Sequence, residues 1–140
     1  MMATMTSFIA HTTVDCRNAY GLSEWWKQVL DYVDLDGDPN EPGHEECMIL
    51  SPGTGHRLLF VEVPDDRQVK NRIHFDLQPR AGTRDEEVER VVALGATEID
   101  DQRNHHAPGI GWVVLQDPEA NEFCILRSEE ERAANPMQPG

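Results

Sequence analysis

Three side chains that can bind a metal ion or hydrogen-bond a ligand stand in separate strand-like segments of the sequence. His11 lies in "SFIAHTTVD", His74 in "NRIHFDLQP" and Cys124 in "EFCILR". Because alternate side chains of a strand point to opposite faces, His74 shares a face with Asp76, and Cys124 shares one with Leu126. The apolar residues between them face the other way. An imidazole or a thiolate on such a face could ligate a metal or contact an organic ligand.

Two amphipathic helices are predicted beside these strands. In "NAYGLSEWWKQVLDYV" apolar residues recur at steps of three and four, and Asn18 is the predicted N-cap. In "TRDEEVERVVALGA" Thr83 and Glu86 predict a capping box, Glu86 and Arg90 an i,i+4 ion pair, and Gly95 a C-cap.

Both halves of the chain repeat one order: a strand, a helix, then a run of strands. The repeat predicts that each half forms a small sheet with one face covered by its own helix. The other faces would then curl toward each other and enclose a cleft. The residues predicted to line it are His11, Thr13, Leu58, Phe60, His74, Asp76, Cys124 and Leu126.

Length and composition favour a single domain with an ordinary core. The chain has 140 residues and a formal net charge of −14, which argues against binding to nucleic acid. No apolar run is long enough for a membrane span, and the N-terminus lacks the pattern of a signal peptide. The three scattered cysteines suit a reducing cytoplasm, so a cytoplasmic protein is expected.

The motifs "HTTVDCRNAYGLSEWWKQVL", "NRIHFDLQPRAGTRDEEVERVVALGAT" and "GWVVLQDPEANEFCIL" resemble the vicinal oxygen chelate superfamily, in particular its glyoxalase-like, bleomycin-resistance-related branch. The resemblance implies an α+β fold of two paired βαβββ modules whose curved mixed sheets enclose a cleft. One domain would span residues 7–128, with modules at about 7–65 and 70–128. Residues 129–140 are expected to form a flexible C-terminal tail.

The resemblance also implies a set of metal ligands. Metal-dependent relatives carry one ligand seven residues before the residue that opens the first helix, and His11 stands seven before Asn18. The ligand that starts the second module is matched by His74. The third is usually a glutamate seven residues after the Asp of the "DP" turn, and Cys124 is seven after Asp117. Where relatives have a fourth ligand, this chain offers Phe60 or Leu58.

Two interpretations of these positions stay open. His11, His74 and Cys124 could hold a divalent metal with an open position, and a thiolate favours Zn²⁺ over harder ions. Alternatively, the imidazoles hydrogen-bond an organic ligand in a mostly apolar pocket and Cys124 packs as a small hydrophobe. The predicted ligand-binding residues are Leu58, Phe60, Asp76, Trp112 and Leu126.

Three functions follow from the resemblance. The first is a metal-dependent lyase, isomerase or dioxygenase acting on a small substrate. The second is a metal-free protein that sequesters an antibiotic, and the third is a binding module for a metabolite. A homodimer is expected in each case, with no nucleic-acid or membrane partner.

Two loop residues depart from the usual pattern of the family. Ala120 and Asp31 each replace a common glycine, and Asn121 is predicted to take the left-handed conformation of the "DPEAN" turn. The adjacent His105 and His106 are predicted to lie in a solvated loop.

Overall fold

The computed structural model describes residues 5–64, 71–103 and 110–136. The chain divides into two compact units, Met1–Asp66 and Arg67–Gly140, called here the N-terminal and C-terminal units. Both follow the order strand, helix and three strands, which confirms the α+β prediction. Among the described residues, no helix has the length and apolar character needed to cross a membrane.

The N-terminal unit is a four-stranded mixed sheet with one helix. Strand β1 is parallel to β4, whereas β3 is antiparallel to both β4 and β2, in the order β1-β4-β3-β2. Its elements are β1 (Thr12–Cys16), α1 (Ala19–Leu30), β2 (Val33–Asp34), β3 (Glu46–Leu50) and β4 (Arg57–Glu62).

The C-terminal unit repeats this plan with strand order β5-β8-β7-β6, where β5 is parallel to β8. A short helix follows β8, in the segment that the sequence predicted as a flexible tail. The elements are β5 (Phe75–Leu77), α2 (Arg84–Ala93), β6 (Thr97–Asp101), β7 (Val113–Gln116), β8 (Glu122–Ile125) and α3 (Glu129–Ala134).

The helix ends follow from local hydrogen bonds that the sequence largely predicts. Asn18 caps α1 by accepting a hydrogen bond from the backbone N–H of Gly21, and Thr83 and Glu86 form the predicted capping box of α2. Arg90 pairs with Glu87 at 2.8 Å, and the predicted pair between Glu86 and Arg90 stays a prediction. At the other end of α2 the C-cap is Leu94, and Gly95 follows it with φ of 116°.

The core of the N-terminal unit lies between its sheet and α1. Cys47 and Ile49 of β3 pair with Phe60 and Leu58 of β4, so all four side chains share one face. That face is turned toward α1, because the helix contacts β3 and β4 and these four side chains are at most 1% exposed. Burial raises the pKa of the Cys47 thiol, and the hydrogen bond from Ser23 opposes that change.

This packing corrects the predicted positions of Leu58 and Phe60, which were placed on the face away from the helix. They are 1% and 0% exposed on the α1 side. Thr13 pairs with Leu59, so the face opposite the helix carries Leu59 instead. The prediction matched strand residues of the two halves with an error of one position. A shift of one residue turns every side chain of a strand to the other face.

The core of the C-terminal unit is built on the opposite side of the sheet from Cys124. Phe123 and Ile125 of β8 pair across the sheet with Leu115 and Val113 of β7, and all four are fully buried. Helix α2 contacts β8. This arrangement leaves Cys124 on the face that carries Asp76, the one polar residue of β5.

The tight turns place two non-glycine residues at positive φ. Ala120 has φ of 66° in the turn between β7 and β8, and Asp31 has φ of 57° at the end of α1. The left-handed residue of the "DPEAN" turn is therefore Ala120, and the prediction of Asn121 is wrong. Asn121 instead donates backbone and side-chain hydrogen bonds to the carboxylate of Asp117.

Candidate metal centre

A parallel strand pair places the candidate ligands of the C-terminal unit. Asp76, the middle residue of β5, is paired with Cys124 of β8. Because directly paired residues point to the same face, the carboxylate and the thiol lie side by side. His74 precedes Asp76 by two residues, so strand alternation brings its imidazole to that face as well.

The three side chains converge closely. One ligand atom from each of His74, Asp76 and Cys124 lies within 4.8 Å of the others, and Nε2 of His74 is 3.3 Å from Oδ1 of Asp76. Within the described stretches of the chain, this is the one group of three such residues with that geometry. The side chains of His74 and Asp76 are 40% and 53% exposed, whereas Cys124 is 6% exposed.

These distances suit a small tetrahedral ion. Bonds of about 2.0 to 2.3 Å to N, O and S ligands put neighbouring ligand atoms roughly 3.3 to 3.8 Å apart around zinc. The observed separation between His74 and Asp76 is already in that range, and the thiol needs to approach by about 1 Å at most. One nitrogen, one oxygen and one sulfur donor would leave a fourth position open to solvent.

The surface around the three donors is partly apolar. Val114 of β7 pairs with Cys124 and so shares its face. By alternation, Trp112 and Leu126 lie on this face just outside β7 and β8, and both are half-buried. They could provide an apolar wall for a ligand held at the donors.

The structure brings together only part of the residue set predicted from the sequence. His74, Asp76 and Cys124 form the cluster. His11 is exposed directly before β1 in the N-terminal unit, and its role as a ligand stays a prediction. His105 and His106 lie outside the described residues.

Asp76 was predicted as a ligand-binding residue and not as a metal ligand. The sequence itself indicates that Asp76 could be a metal ligand, because "HFD" puts an imidazole and a carboxylate two positions apart on a strand. A carboxylate at that spacing can complete a site that the last strand supplies with a thiol.

Comparison with known proteins gives one matching family. The family model described as "Glyoxalase-like domain" matches residues 11–126. No curated protein gives a significant match to the chain.

Several solved structures share the fold. A mutant of the fosfomycin resistance protein FosX from Listeria monocytogenes, complexed with Mn(II) and 1S,2S-dihydroxypropylphosphonic acid, is 18% identical, with a TM-score of 0.63 over 96% of this chain and 100% of that one. FosX from Mesorhizobium loti is 15% identical, with a TM-score of 0.61 over 94% and 100%. A possible glyoxalase from Bacillus cereus is 12% identical, with a TM-score of 0.60 over 86% and 99%. At sequence identities of 12% to 18%, the similarity of this chain to these structures is a similarity of fold.

Proposed function

The chain belongs to the glyoxalase-like domain family of the vicinal oxygen chelate superfamily, and on that premise we propose that it binds a divalent metal ion through His74, Asp76 and Cys124. The ion would hold a small oxygen-bearing ligand at its open position. The observation that carries the proposal is the convergence of these three ligand atoms within 4.8 Å.

We propose zinc as the ion that the site prefers. A thiolate is a soft ligand, and together with an imidazole it favours Zn²⁺ over Mn²⁺ or Mg²⁺. The Listeria FosX complex contains Mn(II), so a preference for zinc would separate this chain from that relative. His11 is the proposed further ligand.

A bound metal of this kind polarises a carbonyl group or binds two neighbouring oxygens of a substrate. The residues of the chain would fix the ion and orient the ligand against it. Trp112 and Leu126 would exclude water from the apolar part of the ligand. The reaction class that fits such a site is that of a lyase, an isomerase or a dioxygenase.

The test is the metal content of protein purified without chelators. We expect close to one zinc per chain, and a loss of most of it in His74→Ala and in Cys124→Ala. His44→Ala is the matched control, because its imidazole is 45% exposed and lies outside the cluster. Protein that carries no metal and takes up none when titrated with Zn²⁺ or Mn²⁺ would contradict the proposal.

A second candidate function is a metal-free protein that sequesters a cationic antibiotic. Two points favour it: the resemblance puts Cys124 where metal-binding relatives carry a carboxylate, and Nε2 of His74 already lies 3.3 Å from a carboxylate oxygen of Asp76. The net charge of −14 would attract a cationic ligand. A thermal shift with a cationic glycopeptide that persists in chelator and falls with salt would support this function over the first.

We also propose that the protein works as a homodimer in a reducing compartment such as the cytoplasm. The three cysteines, Cys16, Cys47 and Cys124, are buried thiols that form no disulfide, which supports the assignment of compartment. Mass measurement in solution and localisation of the tagged protein test these two points.

A further inference from the structure

Three polar side chains of the N-terminal unit form a chain of hydrogen bonds. The phenol oxygen of Tyr32 lies 2.8 Å from Nδ1 of His56, and Nε2 of the same ring lies 3.2 Å from Oγ1 of Thr12. Each ring nitrogen of His56 therefore contacts a hydroxyl group. None of the three residues is a ligand in the proposed metal centre.

The fold brings these groups together from separate elements. Thr12 opens β1 and is paired with Leu58 of β4. His56 precedes Leu58 by two residues, so strand alternation turns the side chains of Thr12 and His56 to one face of the sheet. Tyr32 follows α1 and directly precedes β2. The rings of Tyr32 and His56 meet edge to face, with their centroids 5.9 Å apart.

A tight turn before β4 holds His56 in place. The backbone N–H of His56 donates to Oγ1 of Thr54 at 3.2 Å, and its C=O accepts a bond from the N–H of Ser51 at 2.8 Å. The buried Ser51 in turn accepts bonds from the N–H groups of Thr54 and Gly55. The imidazole is therefore held in one orientation before any ligand arrives.

The arrangement has the parts of a nucleophile with its base. The oxygen of Tyr32 can accept the hydrogen of Nδ1, which leaves the lone pair of Nε2 to accept the hydroxyl hydrogen of Thr12. A hydroxyl bonded to a base that a third group orients is the pattern of an activated nucleophile. His56 is exposed and Thr12 is half-buried, so a small molecule reaches both from solvent.

The open edge of β1 adds a donor for a developing negative charge. The C=O of Cys16 accepts a bond from the N–H of Val63, so the backbone groups of Cys16 and, by alternation, of Thr12 point toward β4. The N–H of Thr13 points to the other edge, where no strand of the described residues pairs with β1. The N–H of the residue after the nucleophile is an oxyanion donor in many hydrolases.

We propose that Thr12 and His56 hydrolyse small activated carboxylic esters and that Tyr32 positions His56. Oγ1 of Thr12 bonds to the acyl carbon while its proton passes to Nε2 of His56. The same proton then goes to the leaving oxygen as the bond between acyl carbon and leaving oxygen breaks. Water, with His56 as its base, cleaves the acyl group from Thr12. One ester and one water give one acid and one alcohol.

This inference goes beyond the proposed function, because the reaction needs no metal. The ester assays are therefore run in chelator, and zinc content is measured on separate samples. A chain that binds zinc but cleaves no ester would overturn only this inference. A chain that cleaves the ester but takes up no zinc would overturn only the metal proposal.

The experiment is the hydrolysis of p-nitrophenyl acetate by the full chain, followed by release of p-nitrophenolate and by mass spectrometry of the acetylated protein. We expect the acetyl group on Thr12. The value of kcat/KM should fall about 100-fold or more in His56→Gln, which lacks the base, and similarly in Thr12→Val. Thr12→Ser should keep the activity. His44→Gln and Thr97→Val, which change an exposed imidazole and an exposed threonine elsewhere, are the matched controls and should behave like the natural chain.

Tyr32 is a positioning residue and has its own test. Tyr32→Phe should lower kcat about 3- to 10-fold with KM unchanged, since one neutral hydrogen bond to the base is lost. Nitrogen NMR of the His56 ring gives a readout that a merely structural role would not move. We expect the tautomer with hydrogen on Nδ1 in the natural chain and a mixture of both tautomers in Tyr32→Phe.

Peptide mapping of the acetylated natural chain does not depend on the folding of any variant. An acetyl group found only on residues other than Thr12 would overturn the proposal. A natural chain that releases p-nitrophenolate no faster than Thr12→Val would do the same, as would full activity in His56→Gln.

Discussion

Nε2 of His74 lies 3.3 Å from Oδ1 of Asp76, with both side chains exposed on one face of the C-terminal sheet and the thiol of Cys124 beside them. An imidazolium and a carboxylate at this distance can form an ion pair. The same two atoms can instead be neighbouring ligands of one metal ion, since that distance is also the edge of a zinc coordination tetrahedron. The two roles differ in what happens when the charge on Asp76 is removed.

We expect Asp76→Asn to weaken zinc binding by about 10- to 100-fold, because the variant loses a charged oxygen donor or, at least, the partner that orients the imidazole of His74. The measurement is competition against a chromophoric chelator at neutral pH. Asp100→Asn, an exposed carboxylate on β6 of the same sheet, should bind zinc like the natural chain. An unchanged zinc affinity in Asp76→Asn would contradict any role for Asp76 in the zinc site.

Strand alternation predicted the correct face for the site residues of the C-terminal unit, but it predicted the wrong face for Leu58 and Phe60 of the N-terminal unit. His74, Asp76 and Cys124 were placed on one face from "HFD" and "EFCIL", and the register between β5 and β8 confirms that face. Leu58 and Phe60 were placed by matching the two halves, which required an alignment across loops of different length. An error of one position there reverses the face, and local sequence contains nothing that corrects it.

The helix caps are the features that the sequence predicted best, because they depend on local interactions. The caps formed by Asn18 and Thr83 depend on side chains within three residues, so the sequence contains the whole interaction. The extent of the strands depends on partners far away in the chain. "SFIAHTTVD" alternates throughout, yet β1 begins only at Thr12, because β4 pairs with nothing before that residue in the described structure.

Replacing Ala120 by glycine should stabilise the fold. Ala120 has φ of 66°, and the left-handed region costs a residue with a Cβ atom roughly 1 to 2 kcal/mol. Glycine removes this cost but adds entropy to the unfolded chain, so we expect a net gain of about 0.5 to 1 kcal/mol in the free energy of unfolding by urea. Ala93→Gly in α2, where φ is not positive, should destabilise instead. A loss of stability in Ala120→Gly would show that the turn does not strain Ala120.

Glu62 should stabilise the start of α1 from a neighbouring strand. Its Oε2 accepts a hydrogen bond from the backbone N–H of Ala19 at 3.0 Å, and the first turn of α1 has no acidic residue of its own. We expect Glu62→Gln to lower the free energy of unfolding by about 0.5 to 1 kcal/mol, because the amide can still accept the bond but lacks the charge that favours a helix N-terminus. The difference should shrink in high salt. Glu46→Gln, exposed on β3, is the control, and equal losses in both variants would refute the specific role of Glu62.

Arg103 joins three carboxylates near the end of β6, and its contribution should depend on pH in a defined direction. Its guanidinium lies 2.9 Å from Asp101, 3.2 Å from Asp85 and 3.4 Å from Glu98. The hydrogen bond from Arg103 holds the pKa of Asp101 below its ordinary value of 3.8. A carboxyl whose folded pKa is depressed stabilises the fold above the unfolded value, and this stabilisation is lost as the pH falls through the folded pKa.

Arg103→Met should therefore cost about 1 kcal/mol of unfolding free energy at neutral pH, a modest value because the carboxylates are largely exposed. The difference in unfolding free energy between the variant and the natural chain should become smaller below a pH of about 4, where Asp101 begins to take up a proton in the unfolded chain. Urea unfolding at a series of pH values measures this difference. Arg90→Met, which removes the contact with Glu87 within α2, should cost about 0.3 to 0.5 kcal/mol. If this difference in unfolding free energy for Arg103→Met stays constant down to pH about 2, the packing of the Arg103 side chain, and not its charge, stabilises this end of the sheet.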